Sequence, residues 1–138
     1  RVVHWWLEDV GFLRERMAHK QAGTAVGEVA LYFGCRSDYD LLHHERLQKC
    51  EAEGICRLSV SYSRKSNVAK EYVHMALSRD ADLVRATLGA GSGGRFYICG
   101  SASTLAKDST RVMHSILGNG DASRGSAVFS TLQEQGRV

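Results

Sequence analysis

The sequence predicts an α/β fold, a doubly wound parallel sheet with helices on both faces. Three observations carry that prediction. Residues 29–33, VALYF, form an unbroken apolar run of strand formers, the pattern of a strand covered on both sides. Leu58, Val60 and Tyr62 alternate in a second strand. Between and after these, apolar residues recur at helical spacing, most regularly at Leu105, Val112, Met113, Ile116 and Leu117. Strands separated by helix-length segments imply right-handed crossovers and therefore parallel pairing.

The elements follow in order. Val10, Leu13 and Met17 suggest a first helix ending near Gly23, and RVVHWW before it reads as a short strand or an irregular start. Its adjacent tryptophans argue for burial or a partner surface. The 29–33 strand ends at Gly34. Ser37, with Asp40 three residues on, then opens a helix running to about Gly54, with Tyr39, Leu42, Leu47 and Cys50 on one stripe. After the second strand, a mostly helical stretch covers residues 72–88 with a break near 78–81. FYIC at 96–99 predicts a third short strand, the 105–117 pattern a helix, and residues 126–135 a last helix. Ligands of such sheets sit at the carboxyl ends of the strands. The segments there are GCRSD (34–38), SRKSN (63–67) and GSAST (100–104), which should line one crevice.

Composition narrows the function. A chain of 138 residues fits one domain, and 43% hydrophobic with 24% charged residues is ordinary for a globular protein. The 18 basic and 15 acidic residues give a net charge of only +3 and are interspersed, which favours a local anion site over a nucleic-acid surface. Four cysteines without a CxxC spacing and six scattered histidines predict a reducing compartment and no metal site. With no apolar run of about 18 residues, the segment is expected to be soluble, any membrane anchor lying elsewhere in the parent protein. The start at Arg1 and the stop at Val138 read as a piece of a longer polypeptide.

The chemistry is concentrated in SYSRKSNVAKEYV, residues 61–73. A phosphomonoester carries about −1.5 to −2 charge and three acceptor oxygens, which the hydroxyl of Ser63 and the guanidinium fork of Arg64 can satisfy together. Lys70 adds a second cation and Tyr72 an aromatic face on which a purine could stack. The plain alternative for the dipeptide alone is a turn serine beside a solvated arginine. GAGSGG at 89–94 precedes a strand rather than linking strand to helix, so it reads as a flexible connection and not a phosphate loop. His43 and His44 fall in mid-helix, where neighbours point about 100° apart and chelate poorly.

ALYFGCRSDYD (30–40), SYSRKSNVAKEYV (61–73) and FYICGSASTLAKD (96–108) together resemble the three signature blocks of the NADP-binding module of the ferredoxin:NADP reductase superfamily. The likeness is greatest to its diflavin branch, which includes NADPH:cytochrome reductases, and runs from about Val10 to Arg137. It implies a Rossmann-like fold in which Ser63 and Arg64 hold the 2′-phosphate of NADP, Lys70 adds charge there and Tyr72 packs near the adenine. By the same resemblance Gly34, Cys35 and Arg36 border the nucleotide, and Asp108 lies close to it. Cys99 and Gly100 match the Cys-Gly pair beside the nicotinamide and the flavin ring, which makes Cys99 the catalytic candidate, a group that positions the nicotinamide for hydride transfer. Ser101 stands where many diflavin relatives have Asp and would still cap a helix.

The resemblance further implies NADP(H) as cofactor, FAD and FMN in domains outside this chain, and as partners those flavin domains and a haem protein or similar acceptor on the cytoplasmic side. The glycine-rich turn that such modules carry after their first strand is absent. Before VGFLRERM the chain reads RVVHWWLED, so residues 1–9 are atypical and the first strand is expected to be lacking or altered. The aromatic residue and carboxylate that relatives place beyond the Gly-Arg pair are also outside the chain. The expectation is the NADP(H) module of a flavoprotein reductase, inactive in isolation. The alternative is a noncatalytic nucleotide-binding or interaction module.

Overall fold

The computed structural model describes residues 2–3, 7–41, 43–98 and 104–138. In chain order these form β1 (Val2–Val3), α1 (Leu7–Gln21), β2 (Ala30–Cys35), a 3-10 turn (Asp38–Asp40), α2 (His44–Ala52), β3 (Arg57–Tyr62), α3 (Val73–Arg79), α4 (Ala81–Leu88), α5 (Leu105–Leu117) and α6 (Ala122–Glu134). The strands pair in the order β1-β2-β3, all parallel, with Ala30 opposite Arg57 and Cys35 opposite Tyr62.

β2 shows why its sequence is an unbroken apolar run. Ala30 and Tyr32 face one way, onto Val73 and Leu77 of α3, Val84 of α4, Met113 of α5 and Phe129 of α6. Leu31 and Phe33 face the other way, onto Leu13 of α1 and Leu47 and Cys50 of α2. Alternate side chains of a strand point to opposite faces, so a strand with helices on both faces must be apolar at every position. Each large aliphatic side chain buried in this way contributes about 1.5–3 kcal/mol of transfer free energy. This is the doubly wound arrangement expected from the sequence, and the first strand is short, as expected.

Several elements differ from the sequence expectation. The helix foreseen from Ser37 is a 3-10 turn followed by α2, and His43 is its N-cap in the left-handed region (φ 57°) rather than a mid-helix residue. Tyr39 accordingly leaves the apolar stripe and is 98% exposed. Residues 96–98 supply only a single bridging residue, Phe96, whose amide donates to the carbonyl of Arg137 at 2.7 Å. The rest of the expected 96–99 strand, Cys99, lies outside the described residues. α6 begins at Ala122, before the expected 126, because the Asp121 carboxylate caps it by accepting from the Arg124 amide at 3.0 Å. The break in the 72–88 helix is where it was expected, at Asp80 between α3 and α4.

The glycine-rich loop at 89–94 is held rather than loose. The Arg137 guanidinium donates to the carbonyls of Leu88 (3.1 Å) and Gly94 (2.8 Å) and to Ser92 Oγ (3.0 Å). A turn rich in glycine exposes carbonyls without side chains to screen them, and an arginine fork can collect several at once.

Candidate functional site

The carboxyl edge of the sheet is joined by a ladder that continues past the strands. The Ser63 amide donates to the Cys35 carbonyl at 2.9 Å, and the Arg64 amide donates to the Arg36 carbonyl at 2.8 Å. Ser63 Oγ also reaches the Cys35 carbonyl, at 3.3 Å. Because parallel strands emerge side by side, two residues of continued pairing bring the GCR and SR segments into register. Gly34 allows this edge to close: a Cβ there would lie 2.8 Å from Val73 Cγ2 at the start of α3. No larger residue fits without moving the helix that follows the loop.

Arg36 and Arg64 are both exposed, and among the described residues neither guanidinium makes a hydrogen bond or ion pair. Lys65, the third cation of the segment, is already engaged. Its Nζ lies 2.8 Å from Asp38 Oδ1 and 4.4 Å from the centre of the Tyr62 ring. The Lys65 hydrogen bond, joined by one from Tyr62, holds the Asp38 carboxyl below its ordinary value. Burial, then the hydrogen bond to Asp38, pushes the Tyr62 phenol up to about 12. Asp38 is thus neutralised locally, which leaves the charge of Arg36 and Arg64 available to an anion. The Cys35 thiol is pushed up to about 11, chiefly by burial and then by Asp40 and Asp38, so at neutral pH it is a packed thiol rather than a nucleophile.

The loop returns to the sheet at residues 70–72. The ammonium of Lys70 lies 5.0 Å from the centre of the Tyr72 ring, and that ring stacks on His74 at 5.6 Å with an interplanar angle of 13°. Tyr72 remains 44% exposed and is the N-cap residue of α3 in extended backbone. Glu71, between them, points the other way: its Oε2 accepts from Ser61 Oγ at 3.0 Å and its Oε1 pairs with the Arg79 guanidinium. Sequence reading did not single out Glu71, Lys65 or Asp38. The period-two spacing of Lys70 and Tyr72 was the available signal for Glu71, whereas the Lys65–Asp38 pair spans 27 positions and left no local trace.

The structure therefore brings Gly34, Cys35, Arg36, Ser63 and Arg64 together by direct bonds and places Lys70 against Tyr72 on the return of the same loop. Asp108 lies in the first turn of α5 and pairs with Arg111 of its own helix at 3.2 Å, rather than with a cation of this edge. Cys99, Gly100 and Ser101 lie outside the described residues. The donor set of this edge suits a phosphate: two guanidiniums without a partner among the described residues and a hydroxyl, with an ammonium and an exposed ring on the return of the same loop. Of the two carboxylates that act on Cys35 at this edge, Asp40 and Asp38, the latter is already paired with Lys65.

Residues 9–111 match the model of the oxidoreductase NAD-binding domain. The chain belongs to that family. Similar proteins include a bifunctional cytochrome P450/NADPH–P450 reductase of Bacillus subtilis, 39% identical over 71% of this chain and 9% of the relative. The NADPH–cytochrome P450 reductase of Sus scrofa is 42% identical over 72% of this chain and 15% of its own length, and that of Musca domestica 37% identical over 78% and 16%. This oxidoreductase NAD-binding domain thus spans less than a fifth of the reductases it resembles, and the resemblance drawn from the three sequence blocks holds.

Proposed function

We propose that the chain is the NADP(H)-binding module of a flavin-dependent reductase whose electrons pass through FAD and FMN, held in other domains of the same polypeptide, to a haem protein or similar acceptor on the cytoplasmic side. The carrying observation is the 2.8 Å bond between the Arg64 amide and the Arg36 carbonyl, which sets two arginines, neither engaged among the described residues, on adjacent strand ends beside Ser63. A ribose carrying an extra phosphate is the ligand this pairing suits, and the exposed Tyr72 ring suits the adjoining adenine.

When bound, NADPH supplies a hydride to a flavin. Ser63, Arg64 and Arg36 hold the 2′-phosphate, Lys70 adds charge, and Tyr72 covers the base. These residues orient one end of a long ligand, and orientation is what the protein contributes to cofactor chemistry. Cys99, Gly100 and Ser101 are assigned to the nicotinamide side on the family likeness alone.

The test is Arg64→Ala. It should weaken NADP binding by roughly 10- to 100-fold, the loss of one or two charge-assisted bonds, and leave NAD binding within about twofold. An equal loss for both ligands would show that Arg64 does not read the 2′-phosphate.

A further inference from the structure

Glu71 lies between the two residues assigned to the nucleotide and is half-buried, its carboxylate engaged by side chains of β3 and α3. Its amide donates to the Tyr62 carbonyl at 2.9 Å, at the last residue of β3. Its carboxylate takes the hydroxyl of Ser61, which is 1% exposed, and the guanidinium of Arg79 at the far end of α3. Arg79 in turn donates to Ser59 Oγ at 3.2 Å on the same strand. Residues 66–70 are all exposed, so the loop first regains the sheet at Glu71.

We propose that Glu71 is a positioning residue that fixes the direction in which Lys70 and Tyr72 leave the sheet. Tyr72 has extended backbone (φ −115°, ψ 156°), and in extended backbone successive side chains point to opposite sides. With Glu71 pinned inward by Ser61 and Arg79, its two neighbours are turned outward together. The 5.0 Å approach of Lys70 Nζ to the Tyr72 ring is the result. Glu71 thereby sets the cation and the aromatic face as one preorganised unit, which spares the ligand the cost of ordering two long side chains. This inference rests on the reading that Lys70 and Tyr72 meet the nucleotide.

The test combines binding of 2′,5′-ADP with the ring-current shift of the Lys70 ε-methylene in the ligand-free chain. Glu71→Ala and Arg79→Met should each reduce affinity roughly tenfold and shrink that upfield shift, while Glu71→Gln, which retains an acceptor for Ser61, recovers part of both. In a Lys70→Ala/Tyr72→Ala background, Glu71→Ala should cost less than about twofold, because the groups it directs are gone. If Glu71→Ala does not fold, Arg79→Met carries the expected loss and Glu71→Gln the partial recovery. The inference is overturned if the full shift persists in Glu71→Ala and Arg79→Met, or if the tenfold loss survives in the double-variant background. Equal binding of 2′,5′-ADP and 5′-AMP by the unaltered chain would instead defeat the 2′-phosphate reading, and the ring-current shift would still decide the role of Glu71.

Discussion

Gly34 and Val73 meet so closely that a single added methyl at position 34 would stand 2.8 Å from Val73 Cγ2. Val73 is 4% exposed and β-branched, so it cannot swing aside. This contact connects the end of β2 to the start of α3, and with it the loop that carries Ser63, Arg64, Lys70 and Tyr72. Gly34→Ala should destabilise the fold by about 1–3 kcal/mol through overpacking, seen as a lower urea midpoint. It should also weaken 2′,5′-ADP binding. An unchanged midpoint would show that α3 can shift without cost.

Arg137 should matter to stability although it lies one residue from the end of the chain. It collects the Leu88 and Gly94 carbonyls and Ser92 Oγ, while its own carbonyl accepts from Phe96. Arg137→Ala should cost about 2–3 kcal/mol in urea unfolding, and Arg137→Lys should recover little, because an ammonium cannot reproduce the planar fork. Full recovery by lysine would reduce the interaction to charge alone.

The Asp38–Lys65–Tyr62 group sets a pH dependence. Asp38 titrates below its ordinary value because of the hydrogen bonds from Lys65 and Tyr62. A lowered carboxyl contributes stability that is present above its unfolded value and lost as pH falls through the folded one. Asp38→Asn should therefore narrow the difference in urea midpoint between neutral and acid solution. Tyr62, raised to about 12, behaves in the opposite sense: its contribution is complete below the ordinary tyrosine value and lost as pH rises through about 12. In Asp38→Asn the tyrosinate absorbance of Tyr62 should appear at lower pH, and an unmoved titration would remove the Asp38 bond from the account.

The parts of the fold that sequence made legible are those governed by local pattern. The apolar run of β2, the alternation in β3 and the periodicity of α5 each report the surface that the element buries, and each lies where its pattern put it. The pairing of Ser63 and Arg64 with the turn after β2 was legible for the same reason, since parallel strands deliver their ends to one edge. Elements decided by distant partners were not legible. The Phe96 amide finds the Arg137 carbonyl 41 positions away, and the 89–94 loop looks loose until Arg137 fills it. Glu71 looks like a solvated acid in a polar loop, and only the fold brings Ser61 and Arg79 to it.

The most direct measurement is calorimetric titration of the chain with 2′,5′-ADP and with 5′-AMP under the same salt. Binding of the first at least roughly 100-fold tighter than the second is the predicted result, the worth of about two charge-assisted contacts to the extra phosphate. Equal, weak binding of both would contradict the assignment of Arg36, Ser63 and Arg64 to that phosphate.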